Sequence, residues 1–409
     1  MVTALGSQVT TVAAPVQVYL LTESSLAVGL LGLAQLFPLI LGSLVGGALA
    51  DAYDRRKMLL LAQSLLASTS IGLALNAASS NPRLWLIYVL TGLQAAFTGI
   101  DNPTRSAATP SLVRREILPS ALALNQLTWQ ICLSAGPALA GLLIARVSVT
   151  AAFCFDIATF AVAITIMIFM TPMMPEGGGT RATRMSVLEG LRYLKGRQAL
   201  QGTFVIDINA MVFGMPRALF PALGITAFGG AGAVGLLYAA PGAGALIGAA
   251  TSGWLSSIDR QGRAIIISVV VWGGAIACFG LSPWLWLACL LLGLAGAADV
   301  VSAVFRNSVL QLTVPDRLRG RLSAIHIAVV TGGPRLGDVE AGTVAALTSP
   351  TVSVVSGGLA CMAGALVIGR AMPKLTAWTL SRDAIVDAEA VNGSVAAVAV
   401  AEPEKIVEP

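Results

Sequence analysis

The sequence predicts an all-α membrane protein of about twelve transmembrane helices, arranged as two pseudo-symmetric six-helix bundles. Three observations predict it: an apolar composition, a regular alternation of apolar runs with polar breaks, and a motif that occurs twice. Of 409 residues, 56% are hydrophobic and 11% are charged, and the mean hydropathy is +0.82. A soluble domain carries about 25% charged residues, so lipid must be the main solvent of this surface. The apolar runs are about 20 residues long, enough to cross the hydrocarbon core as a helix. Backbone polar groups must be satisfied internally there, which leaves helices or closed barrels. Period-two alternation is absent, and helices follow.

The spans are expected at 2–21, 25–50, 58–78, 84–103, 119–144 and 148–170, then 200–226, 231–255, 264–282, 284–305, 322–346 and 351–370. This divides the chain into an N-terminal bundle (1–170), a central cytoplasmic loop (171–199), a C-terminal bundle (200–372) and a disordered cytoplasmic tail (373–409). The central loop opens Thr171-Pro-Met-Met-Pro-Glu-Gly-Gly-Gly, a linker composition. From Val187 to Leu200 it carries Leu188, Leu191 and Leu194 beside Arg192, Lys195 and Arg197, the pattern of an interfacial amphipathic helix.

All but four of the 25 Lys and Arg fall in the loops 51–57, 101–118, 171–199, 256–264 and 306–321 or in the tail from residue 370; the exceptions are Arg83, Arg146, Arg217 and Arg335. Basic residues mark the cytoplasmic side. Both termini are therefore expected in the cytoplasm and the chain in a bacterial-type inner membrane. The net charge of +5 reflects this topology, and no nucleic-acid partner is expected. Helix 1 starts almost at Met1 without a basic leader, so either later loops orient it or the true start lies upstream. Cys132, Cys154, Cys278, Cys289 and Cys361 all sit in apolar runs, with no C-x-x-C pair. Metal, cofactor and disulfide roles are not expected, and neither is an oligomer.

The loop after helix 2 reads Gly47-Ala-Leu-Ala-Asp51-Ala-Tyr-Asp54-Arg55-Arg56-Lys57. The loop after helix 8 reads Gly253-Trp-Leu-Ser-Ser-Ile-Asp259-Arg260-Gln-Gly262-Arg263. A second echo links Arg105 through Arg115 with Arg306 through Arg317. Repeats half a chain apart mark transporters built from two related halves. Small-x-x-x-small pairs recur as well: Gly42/Gly46, Pro137/Gly141, Gly244/Gly248 and Gly333/Gly337. Such spacings let membrane helices approach closely.

On these residues the sequence resembles the major facilitator superfamily, whose signature in this loop is G-x-x-x-D-[RK]-x-G-[RK]-[RK]. Gly47, Asp51, Arg55 and Arg56 match; Ala52 and Asp54 depart from it. Asp259, Arg260, Gly262 and Arg263 form the second copy. The Asp54-Arg55-Arg56 variant resembles the branch of twelve-helix drug:proton antiporters that contains enterobactin exporters and macrolide efflux proteins. Pro103-Thr-Arg105-Ser-Ala-Ala-Thr-Pro110 and Thr331-Gly-Gly-Pro334-Arg335-Leu-Gly resemble the same branch. Gly136, Pro137 and Gly141 in helix 5 resemble the antiporter signature of exporters. The resemblance implies an alternating-access carrier with a cavity lined by helices 1, 4, 7 and 10. The two loop motifs would then act as gates.

An ionisable residue inside a span is costly and usually functional. Asp207 on helix 7 and Asp299 on helix 10 are candidates for proton coupling, with Glu340 next. Arg335 and Asp338, three residues apart on helix 11, share a face and are expected to pair. Asp156 on the peripheral helix 6 suits a structural hydrogen bond, and His326 suits packing. Gln35, Asn125, Gln126, Gln130 and Arg217 are candidates for the substrate cavity, a mixture suited to a small amphiphilic molecule. The leading expectation is a proton-coupled exporter of such molecules, a drug or a siderophore. An importer, or a sensor or scaffold that no longer transports, are the alternatives. An enzyme is not expected, because a single His and scattered carboxylates form no cluster. No G-x-x-x-x-G-K-[ST] sequence is present for ATP.

Overall fold

A computed structural model describes residues 2–173 and 192–380. Among these residues the regular structure is helical, with no strand. The N-terminal half consists of α1 (Val2–Thr22), α2 (Ser25–Ala52), α3 (Arg55–Ala78), α4 (Leu84–Leu112), α5 (Leu118–Arg146) and α6 (Val149–Ile168). The C-terminal half begins with α7, broken into Gln198–Phe213 and Phe220–Thr226. It continues with α8 (Ala231–Ala250), α9 (Gln261–Gly280), α10 (Leu285–Thr313), α11 (Asp316–Leu347) and α12 (Pro350–Ala371). Ten of the twelve are long and apolar enough to cross a membrane. The other two are α1 and α11, whose polar Ser7, Gln8, Thr11, Arg335 and Asp338 line the central cavity.

Several boundaries differ from expectation. Helix α4 runs to Leu112, α10 to Thr313, and α11 starts at Asp316, so the expected loops 101–118 and 306–321 are largely helical. Charge ends an apolar run but not a helix; the helix simply projects past the lipid. Helix α7 is the opposite case. It was expected to be continuous, but it stops at Gly214, whose N–H bonds Ala210 O at 2.8 Å, and restarts after Pro216. Proline supplies no N–H and obstructs the preceding turn, and here the indole of Trp272 donates to Gly214 O at 2.9 Å to hold the break open.

The bundle also extends beyond its expected limit of residue 372. Residues 373–380 are not a free tail: Leu375 is fully buried and Trp378 nearly so. Gly262 N donates to Trp378 O at 3.2 Å, and Leu380 N to Asp259 O at 3.0 Å. Residues 381–409 lie outside the described residues, as does most of the expected amphipathic helix of the central loop. The described end of that helix, Arg192–Leu194, turns at Lys195 and Gly196 before α7 starts.

Each half has its own core, and the first reaches across to Ala218 and Val234 of the second half. Val9, Val12, Val16, Leu73, Ile87 and Phe153 pack in the first. Ile206, Leu219, Val269, Trp272, Phe279 and Phe305 pack in the second. Helix pairs α2/α4 and α8/α10 make matching close contacts, Gly42 against Ala96 in one and Gly244 against Gly293 in the other. Gly333 and Gly337 rest against Met211 and Val212 of α7. The halves themselves meet along α2/α11 and α5/α8. A Cβ on Gly141 of α5 would lie 2.7 Å from Gly235 Cα of α8, and one on Gly29 of α2 would collide with Asp338 O of α11. Both seams sit at the end opposite the basic loops 51–57 and 256–264.

Candidate functional site: a central cavity and its buried charges

Between the halves lies a cavity of about 490 Å³, lined from α1, α2, α4, α5, α7, α8, α10 and α11. A second space of about 220 Å³ adjoins it, sharing Gln8, Thr11, Met215, Arg217, Tyr238 and Asp299. Of the expected cavity residues, Gln35, Gln130 and Arg217 line these spaces; Asn125 and Gln126 are exposed on α5 outside them. Sequence reasoning missed the face of α4 formed by Thr91, Gln94, Thr98 and Asn102. The i, i+3, i+7 spacing of its polar residues within an apolar run was the available signal.

Deep in the second half, Asp207 and Asp299 converge on one cation. Arg306 Nη2 lies 3.0 Å from Asp207 Oδ1 and 3.5 Å from Asp299 Oδ1, and Arg306 Nη1 donates to Ser302 Oγ at 3.0 Å. His326 Nδ1 stands 3.8 Å from Asp207 Oδ2. Asp207 is completely buried, whereas the Asp299 side chain is 30% exposed and reaches the cavity. Neither Asp207 oxygen accepts a well-directed hydrogen bond, so the hold on it is mainly electrostatic. Sequence reading placed Arg306 at the start of a loop and treated it as topological. It is inside α10 because that helix continues two turns further. The result is a line of groups, with Asp299 at the cavity, Arg306 and Asp207 buried, and the partly exposed His326 beyond them. The two carboxylates share one guanidinium, so neutralising either leaves the cation to the other.

The expected Arg335–Asp338 pair does not form. Among the described residues no ion pair joins them, although both line the cavity. Asp338 Oδ1 instead accepts from Ala218 N at 3.0 Å, and Arg335 Nη1 donates to Thr331 O at 2.7 Å. The cause is the break in α7. It leaves the Ala218 N–H without an intrahelical acceptor, and a carboxylate is a stronger acceptor for it than water would be at that depth. Arg335 and Arg217 both remain within electrostatic reach of Asp338. Glu340 is half-buried and lines neither cavity.

At the basic end the first loop motif acts as a latch. Asp54 caps α3 by accepting from Arg56 N, and also accepts from Met173 N, both at 3.0 Å. Arg55 N returns a bond to Met173 O at 3.0 Å, and Arg56 donates to Met167 O and Ile168 O at the end of α6. The motif departure at position 54 thus has a function of its own, tying the chain after α6 to α3. The Met173 N–H, followed by the Arg56 N–H and the nearby Lys57 and Arg56 charges, holds the Asp54 carboxyl below the usual carboxylate range. The side chain of Asp51 lies outside the described residues. Gly47 has open space where a Cβ would be, so no close packing requires glycine there. In the second copy Gly262 is pressed against Leu375 O, and Arg260 and Arg263 are exposed. Nearby, Gln63 donates to Asp101 at 2.8 Å and Arg105 pairs with Asp101 at 2.9 Å.

Asp54→Ala is expected to lower stability by roughly 0.5–2 kcal/mol, the range for a lost N-cap. Because the folded-state pKa is depressed, the stabilisation is present above the ordinary carboxylate range and is lost as pH falls through it. Thermal unfolding in detergent should therefore separate wild type from Asp54→Ala at pH 7 and bring them together in acid. A constant gap at all pH values would mean that the carboxylate charge is not involved.

Two six-helix halves around a shared polar cavity define a transporter of the major facilitator superfamily. The chain belongs to its transmembrane secretion effector family, whose model matches residues 1–398. It is 32% identical to the enterobactin exporter EntS of Citrobacter koseri over 360 residues, 88% of this chain and 85% of that protein. It is 33% identical, over the same shares, to EntS of Escherichia coli O81. The fold is similar to that of a POT family transporter in complex with 5-aminolevulinic acid, with a TM-score of 0.72 at 10% identity over 92% of this chain and 95% of that one. The protein is a multi-pass membrane transporter of the export class and not an enzyme.

Proposed function

We propose that this transporter exports an anionic aromatic amphiphile, such as a catecholate siderophore, from the cytoplasm in exchange for protons. The observation that carries the reading is the cavity chemistry. Arg217 and Arg335 both face it without a carboxylate within ion-pair distance among the described residues, close to Trp129 and Tyr238. Guanidiniums recognise acidic and phenolate oxygens, and aromatic faces take the rings. The enterobactin exporters among its relatives support the same substrate class. With the basic loops in the cytoplasm, the seams of α2/α11 and α5/α8 close the far side, and the cavity faces inward. Protons entering from outside neutralise Asp299, Arg306 then turns wholly to Asp207, and α7, α10 and α11 shift together in an alternating-access cycle. The protein acts as a monomer and needs no cofactor.

The test is enterobactin transport into everted proteoliposomes under an imposed pH gradient. Gradient-driven uptake in wild type, lost in Asp299→Asn, is the expected result. Uptake that ignores the gradient would remove the proton coupling, and no enterobactin movement at all would remove the substrate class.

A further inference from the structure

We propose that Asp156, in the N-terminal half, is a second proton-binding site of this transporter, reached from the central cavity past Gln94 and Ser70. The inference rests on the reading that the protein is proton-coupled, but concerns a different half of the molecule from the Asp299 cluster. Asp156 is on α6, away from the cavity wall, and is completely buried. Its Oδ2 accepts from Thr10 Oγ1 of α1 at 2.7 Å and from Ser70 Oγ of α3 at 2.8 Å. Its Oδ1 has no hydrogen-bond partner and faces Gly6 of α1. The groups packed against the carboxyl are Gly6 and Thr10 from α1, Ser70 from α3 and Thr159 from its own helix. None is charged, and no ion pair reaches it among the described residues.

A structural knot between three helices needs only an acceptor, which asparagine would supply without a charge. A carboxylate buried with no cation is expensive to keep ionised, and taking a proton removes that cost. What makes the group a site rather than a trapped acid is its route to water. Gln94 lines the cavity and donates from Nε2 to Ser70 Oγ through a long contact of 3.4 Å. When Gln94 swings away, cavity water meets the Ser70 hydroxyl. Ser70 then passes its proton to Asp156 Oδ2 and takes one from a hydronium ion arriving through that water, which is left as neutral water, so the hydroxyl is restored and the carboxyl gains one proton. The consequence is felt on α1. Thr10 holds the carboxyl one residue from Thr11, which lines the cavity, so loading the proton weakens the grip on a cavity helix.

The experiment is infrared difference spectroscopy of the purified full-length protein in liposomes, titrated in pH without substrate and exchanged into deuterated water. Wild type should show a protonated-carboxyl band that titrates, and Asp156→Asn should lose one component of it while staying folded, because Asn keeps the acceptor for Thr10 and Ser70. Asp299→Asn should lose a different component. Ser70→Ala should slow deuteration of the Asp156 component severalfold, and Gln94→Ala should speed it. An Asp156→Asn spectrum identical to wild type overturns the proposal, as does an Asp156 component that never titrates. If the Asp299 component titrates and the Asp156 one does not, the second site fails alone; if neither does, proton coupling through these carboxylates fails as well.

Discussion

Arg306→Ala is expected to abolish transport and remove most of the folded protein, whereas Arg306→Ala combined with Asp207→Asn should recover folding but not transport. This is the largest single-residue effect expected in the chain. Arg306 is 3% exposed and is the cation that both Asp207 and Asp299 face at ion-pair distance. Removing one member of a buried pair leaves an uncompensated charge and costs about 3–5 kcal/mol, a large share of the stability of any domain. Neutralising Asp207 as well removes that charge, so the double variant should be much less damaged than the two single losses added together. Transport stays lost because Asp299 then has no cation to exchange. The readouts are the monodisperse fraction in detergent and enterobactin flux in proteoliposomes. A folded, thermally unchanged Arg306→Ala protein would mean that water, not Arg306, stabilises the two acids.

The same cluster illustrates what could and could not be read from the sequence. Asp207 and Asp299 stand out because a carboxylate in an apolar run is conspicuous whatever surrounds it. Arg306 does not, since it lies where an apolar run gives way to charge and looks like any topology-setting arginine. Its role depends on α10 continuing to Thr313, which hydropathy cannot see. The break in α7 is a similar case. Pro15, Pro38, Pro137, Pro241 and Pro334 all sit inside continuous helices, so Pro216 alone does not announce a break; the Trp272 bond to Gly214 does. That break in turn frees the Ala218 N–H and diverts Asp338 from Arg335. Helical spacing put both residues on one face, and the structure turns that face to the cavity, but pairing is decided by what a third helix offers. The loop motif followed the same logic. Its basic residues were legible as topology, while the latch from Asp54 to Met173 joins segments 119 residues apart and exists only in three dimensions.

Gly141→Val is expected to leave a folded protein that transports up to roughly 100-fold more slowly. The α5/α8 seam brings Gly141 and Gly235 so close that a Cβ on either would fall 2.7 or 2.5 Å from the other's Cα. Backbone, unlike the end of a flexible side chain, cannot move aside, so the two halves must separate at the end opposite the basic loops. The core of the second half, around Trp272, Phe279 and Phe305, lies away from this seam, and only the edge of the first, at Ala140 and Val234, borders it. Overpacking of this kind costs about 1–3 kcal/mol, and each 1.4 kcal/mol is a factor of about ten. The upper part of that range depletes the state closed at this seam about a hundredfold, and a carrier that must pass through it slows in proportion. Gly253→Val is the control, because nothing lies within 4 Å of a Cβ there; it should transport normally. In a background without the five native cysteines, Ser134→Cys at the same seam should react with an impermeant maleimide from the far side faster when Gly141→Val is present. Normal transport and unchanged labelling in Gly141→Val would show that the halves do not need this contact, and that the α2/α11 seam alone closes the cavity.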